Sequence, residues 1–183
     1  FMNRQDMIAW VKNRIETGDH TPMLIAGENG MGKTSLLRHL QENRLPHRTI
    51  PVFLDFAAWR GHGLPNLLHY LAKAIHDGLA AKEINVDLPE PDNLAEDPIT
   101  AFADQTIATA VADGRSLLLL ADNLHILLNQ INLGVLPEDT LPHLWHTIQS
   151  QTRLFTLWAL DPAHEPTPNQ KELLKEAETR ELT

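Results

Sequence analysis

Eight consecutive residues, Gly27-Glu28-Asn29-Gly30-Met31-Gly32-Lys33-Thr34, constrain this chain more than any other stretch. They satisfy the spacing G-x-x-x-x-G-K-[ST] at every fixed position. The glycines let the backbone curl so that successive N–H groups face one concavity. Lys33 adds a compact positive charge within reach of a phosphate chain. Thr34 offers a hydroxyl to Mg²⁺, and Ser35 follows at the start of a helix whose N-terminus already favours an anion. Such a loop works only between a buried strand and a helix. Pro22–Ala26 is a short apolar run that reads as the strand. Leu36, Leu37 and Leu40 fall on one helical face just downstream. The candidate phosphate cradle is therefore Gly27, Glu28, Asn29, Gly30, Met31, Gly32, Lys33, Thr34 and Ser35.

A loop of this kind belongs to parallel α/β architectures, and the rest of the chain agrees. Apolar Met7, Ile8, Val11 and Ile15 predict a helix over residues 5–16, with Asn3 or Asp6 able to cap it. Residues 50–56 read as a second strand. Pro51 cannot donate to a ladder, so this strand is expected at a sheet edge. Helices follow over 65–82 and 99–112, separated by a proline-rich acidic stretch, 85–98, read as an exposed loop. Ser116–Asp122 is a fully buried strand ending in a carboxylate. A helix over 141–151, a fourth strand over 153–160 and a last helix over about 169–179 complete the pass. Strands alternating with helices predict one domain over residues 1–183, a parallel sheet with helices on both faces.

A chain of 183 residues with 43% apolar and 21% charged residues can build one sizeable core. Its net charge of −9 argues against unguided binding to nucleic acid or to an anionic membrane, since that needs clustered Lys and Arg. The absence of cysteine excludes disulfides and fits a reducing, cytoplasmic setting. No apolar run is long enough to span a bilayer. The start Phe1-Met2 reads as an artificial boundary rather than a natural terminus.

A phosphate loop needs a partner carboxylate for Mg²⁺, usually an Asp at the end of a buried strand. Asp122, after four leucines and an alanine, is that candidate, paired with Thr34 as the second metal-holding residue. Asn123 comes next, where many ATPases place Glu. An amide can position a water but cannot take its proton, so slow turnover is expected. His125 is the nearest side chain able to act as a base; its plainer reading is a turn histidine with no role. Asp55 and Glu28 are further carboxylates near the site with no role assigned. The candidate catalytic set is thus Lys33, Asp122, Asn123 and His125.

Three segments together resemble AAA+ and STAND ATPases: Phe1-Met2-Asn3-Arg4-Gln5-Asp6, GENGMGKTSLL and LLLLADNLHILL. The first is similar to their opening "hydrophobic-x-Gly-Arg-Glu" box, with Asn3 in place of Gly. The last is similar to an acidic strand in which His125 stands where Glu is common. The resemblance implies a three-layer α/β/α fold with a five-stranded parallel sheet ordered 5-1-4-3-2. It implies ATP or ADP with Mg²⁺, and Phe1, Met2 and Arg4 near the adenine. It implies a switch between closed and oligomeric states in signal transduction.

The chain departs from that pattern at Trp158-Ala159-Leu160, which is apolar where a polar sensor is expected, and no arginine finger follows. The fifth strand would start near Glu181, and the helical lid has no counterpart. The expectation is a C-terminally truncated core, with an unpaired edge beside the first strand. Its partners would be nucleotide, further copies, or the lid and effector domains of its parent. The leading reading is a nucleotide-operated switch with slow ATP hydrolysis. The alternatives are a nucleotide-binding interaction module without hydrolysis, and an ATPase of a DNA transaction, initiator-like or a transposition regulator. The acidic charge counts against the last.

Overall fold

The computed structural model describes residues 3–88, 90, 92 and 96–182. In chain order its regular elements begin with α1 (Arg4–Thr17), β1 (Met23–Ala26), α2 (Lys33–Glu42), β2 (Thr49–Asp55) and α3 (Leu64–Ala80). Then come α4 (Pro98–Phe102), a π-helical turn (Ala103–Ile107), α5 (Ala108–Ala110), β3 (Ser116–Asp122) and α6 (Leu124–Asn132). The chain closes with α7 (Thr140–Gln149), β4 (Leu154–Leu160), α8 (Pro168–Leu174) and β5 (Glu178–Glu181). All strand pairs are parallel and the sheet order is β2-β3-β4-β1-β5. This is the P-loop order 5-1-4-3-2 expected from the resemblance, and β2, with Pro51, lies at the edge.

Why β3 is an unbroken apolar run follows from its place inside the sheet. Leu117, Leu119 and Ala121 pack with α3, α6 and α7 on one face. Leu118 and Leu120 pack with Met7, Trp10 and Val11 of α1 and with Leu36, Leu37 and Leu40 of α2 on the other. Both faces are covered, so neither set of alternate residues can be polar. Each fully buried leucine contributes about 1.5–3 kcal/mol. Trp145 and Trp158, both essentially buried, meet in a tilted pair at 5.5 Å between ring centroids and anchor α7 to β4.

Local chemistry sets the helix ends. Asn3 caps α1 by accepting from the Asp6 N–H at 3.0 Å, and Gly18 closes it in the left-handed region with φ 71°. Thr167 and Gln170 form a reciprocal capping box at the start of α8, whose first residue is Pro168.

Four expectations need correction. The last helix ends at Leu174 instead of about 179, and the fifth strand starts at Glu178 instead of near Glu181. It pairs with β1, so the edge beside the first strand is covered and is not an open association site. Tertiary contacts make this strand: Glu178 ion-pairs with Arg14 at 2.6 Å, and the Arg180 guanidinium lies 4.7 Å from the Trp10 ring. The predicted helix over 99–112 is broken into α4, the π turn and α5, and left-handed Asp113 and Gly114 terminate it. Helix α6 had no counterpart in the sequence reading, although Leu124, Leu127, Leu128 and Ile131 are its buried face.

Candidate nucleotide site

The C-terminal ends of parallel strands are where such sheets place ligands. Here β1 runs into the phosphate loop, β3 ends in Asp122, and β4, which lies between them in the sheet, is followed by Asp161. Gly30 and Gly32 hold φ 85° and 84°, the left-handed values that a Cβ would penalise. Gly27 is needed for another reason. A Cβ there would come within 3.2 Å of the Leu182 carbonyl oxygen, so the loop passes tightly under the end of β5.

Gly32 opens α2 with no side-chain cap, which leaves the first N–H groups of that helix, from Lys33 on, to a ligand. Lys33 Nζ donates to the carbonyls of Gly27 and Glu28, the latter at 2.9 Å, and so folds over its own loop. A Cβ at Gly32 would lie 3.3 Å from Arg4 Nη2, so a second cation hangs beside the loop. The suggested adenine contacts Phe1 and Met2 lie outside the described residues.

Thr34 Oγ1 donates to Asp122 Oδ2 at 2.6 Å, and Asp122 is 2% exposed. The other Asp122 oxygen accepts the Asn123 backbone N–H at 2.9 Å. The buried Asp122 carboxylate and the Thr34 hydroxyl form a pair of hard oxygens, and the Lys33 ammonium lines the same cleft. The oxygen pair suits Mg²⁺, which favours oxygen ligands and retains its own waters. The fit also extends to a phosphate chain, through the bare α2 terminus and Lys33.

Asn123 takes the left-handed conformation, φ 58° and ψ 45°, which Asn tolerates better than most residues. Its Nδ2 donates to Asp55 Oδ1 at 2.7 Å. Asp55 also accepts from the Ala57 N–H at 2.8 Å, and its carbonyl accepts the Tyr70 hydroxyl at 2.6 Å. The carboxylate that sequence reasoning had left without a role is therefore the clamp on Asn123. The amide is already engaged on the β2 side of the cleft.

His125 Nδ1 is buried with no hydrogen-bond partner among the described residues. Its ring stacks on His164 at 4.3 Å between centroids. Burial, together with the neighbouring His164 and Lys33, holds the His125 imidazole below its ordinary value, against the opposing pull of Asp161 and Asp122. Sequence reasoning missed Asp161 and His164. Both line the cleft of about 360 Å³ with Lys33, Thr34, Asp122 and Asn123. The available signal was a polar residue one position past β4, since Leu160 still lies inside the strand. Trp158, Ala159 and Leu160 are indeed buried and apolar, and Asp161 is the first polar group at that end.

No known family profile matches the chain, and no curated protein does. Solved structures do. ORC2 of Aeropyrum pernix, in ADPNP–ADP complexes, superposes with TM-score 0.66 at 12% identity over 98% of this chain and 46% of that one. The Walker-type ATPase paby2304 of Pyrococcus abyssi gives 0.59 at 16% identity over 94% and 52%. AMPPCP-bound DnaA of Aquifex aeolicus gives 0.54 at 14% identity over 98% and 46%. The chain thus has the P-loop fold, and its structural neighbours are AAA+ ATPases. It spans about half the length of the structures it matches. Among the described residues, no helix is long and apolar enough to cross a membrane.

Proposed function

We infer that this domain is a nucleotide-operated switch that binds ATP or ADP with Mg²⁺ and hydrolyses ATP slowly. One observation carries the reading: the 2.6 Å Thr34–Asp122 hydrogen bond beside a glycine-curled loop, where β1 and β3 end. Lys33 and the free α2 terminus bind the phosphates, and Thr34 and Asp122 hold the metal. Bound Mg²⁺ neutralises phosphate charge. Asn123 offers an amide rather than a proton acceptor, and Asp55 already holds it. His125, with a depressed proton affinity, is a residue able to take a proton from water, and it stands in a half-buried ring stack. Both facts favour slow turnover.

The test is isothermal titration of Mg·ATP into the wild-type domain and into Lys33→Ala. A loss of about tenfold or more is expected from one charge-assisted contact. Equal affinities refute the reading. The Asp55–Asn123 clamp also supports a second reading, a nucleotide-binding interaction module with no hydrolysis. Phosphate release by the protein, abolished in Asp122→Ala, favours the switch; no release at all favours the module. A signalling or STAND role rests on the sequence resemblance alone. The fold is equally that of ORC2 and DnaA, so the net charge of −9 does not by itself put the DNA-transaction reading aside.

A further inference from the structure

We propose that the pole of the sheet opposite the phosphate loop holds a second anion site, for a compact ligand carrying two or more phosphate groups. The N-terminal ends of β2, β3 and β4 meet there, around a cavity of about 660 Å³. That size lies within the ordinary range for small-molecule pockets. Arg44, His47, Arg48, Lys82 and Arg115 line it, and Arg153 stands beside it at the start of β4. A Cβ built at Gly114 would lie 3.8 Å from Arg153 Nη1 and 4.0 Å from Arg48 Nη1, so two guanidinia converge on one glycine.

Like charges brought together in this way favour an anion between them. The carboxylates nearby are Glu42 in the lining and Glu83 and Asp113 on the flanking turns. They are outnumbered by the five Arg and Lys side chains, in a chain whose net charge is −9. Among the described residues, Arg44, Lys82 and Arg153 make no ion pair.

Two of the cations are already fixed in place. Arg48 Nη1 donates to the Asp113 carbonyl at 3.0 Å. Arg115 donates to the carbonyls of Ala110 and Thr109 at 3.2 and 3.3 Å and pairs with Asp113 at 3.4 Å, with its side chain 12% exposed. Ordering them costs a ligand little. The backbone at this pole is also strained. Five described non-glycine residues have positive φ, and four of them are here: His47 at 53°, Arg48 at 54°, Glu83 at 60° and Asp113 at 59°. Strain of about 1–3 kcal/mol at each such residue concentrates where geometry serves a ligand.

Net charge decides the size of the ligand. An extended polyanion would leave the bowl and meet the acidic remainder of the surface. A compact one stays within a Debye length, about 8 Å at physiological salt, of the clustered cations.

The experiment titrates inorganic tripolyphosphate into the Lys33→Ala protein, which weakens the phosphate loop, with and without Arg44→Gln and Lys82→Gln together. Both of those side chains are exposed and make no ion pair, so the fold is retained. The expected result is binding in the Lys33→Ala background that weakens about tenfold or more with the added pair, from lost charge-assisted contacts. Mg·ADP affinity of the Arg44→Gln/Lys82→Gln protein with Lys33 intact is unchanged, which separates this site from the nucleotide site. Absence of tripolyphosphate binding, or binding indifferent to the added pair, overturns the proposal. A second arm uses a short single-stranded oligonucleotide. Salt-dependent binding of that strand through the same residues, without tripolyphosphate binding, assigns the pole to a nucleic-acid backbone and overturns the compact ligand.

Discussion

Replacing Asn123 by Glu would supply the carboxylate that fast P-loop ATPases carry after the metal-holding Asp, and in this protein it should fail for a structural reason. The Asn123 amide donates to Asp55 Oδ1 at 2.7 Å. A glutamate there loses that charge-assisted bond, worth about 1.5–3 kcal/mol. It also faces the Asp55 carboxylate at short range. Two like charges about 4 Å apart repel by about 1 kcal/mol in water and about 4 kcal/mol near a protein surface. Both residues are half-buried, so an intermediate value applies. Glu also fits the left-handed backbone at position 123 less well than Asn does. The sum is a destabilisation of about 4–5 kcal/mol, or about 8–20 °C in Tm for a domain of this size. Urea and thermal unfolding of Asn123→Glu, Asp55→Asn and the double variant form the cycle. The double variant should return to within about 1 kcal/mol of wild type, because an amide at 55 can donate to the new carboxylate. An Asn123→Glu protein as stable as wild type, or an Asp55→Asn change that gives no rescue, refutes the clamp.

Other outcomes follow from the same structure. Trp145→Ala removes a fully buried ring packed against Trp158 and should cost about 3–5 kcal/mol in urea unfolding, with little change in nucleotide affinity. Thr167→Ala removes the capping box of α8 and should cost about 1 kcal/mol, read as a Tm shift of about 2–4 °C. The folded state holds the His125 proton affinity below its ordinary value of 6.5, so the unfolded chain binds that proton more readily. This contribution to stability is complete above about pH 6.5 and is lost as pH falls through the depressed folded value. Wild type should therefore lose more Tm than His125→Gln on acidification below that point, and parallel pH profiles would count against it. Gly27→Ala pushes a methyl against the Leu182 carbonyl at 3.2 Å and should weaken Mg·ADP binding measured by titration, by disturbing the loop at its base.

The phosphate loop, the β3 run and the helical stripes of α1, α2, α3 and α7 were legible because each is a local pattern with a period or a fixed spacing. Pro51 foretold an edge strand because a missing donor is a property of one residue. Other features left no such trace. The segment after Leu174 looks helical by composition, yet 178–181 is a strand because β1 offers an edge and Arg14 and Trp10 meet Glu178 and Arg180. Helix α6 is short, and its apolar residues sit so close behind Asp122 that they read as part of the strand's approach.

The sequence by itself determined that a glycine-rich turn of phosphate-loop spacing joins a buried strand to a helix, and that a lone carboxylate ends another buried strand. Those facts need only neighbouring residues. That Thr34 touches Asp122, that Asp55 grips Asn123, that His164 stacks on His125 and that Arg48 meets Arg153 are contacts between segments tens of residues apart. Strand order and register decided them, because in a parallel sheet the residues that share one pole are set by which strands pair and where each begins and ends.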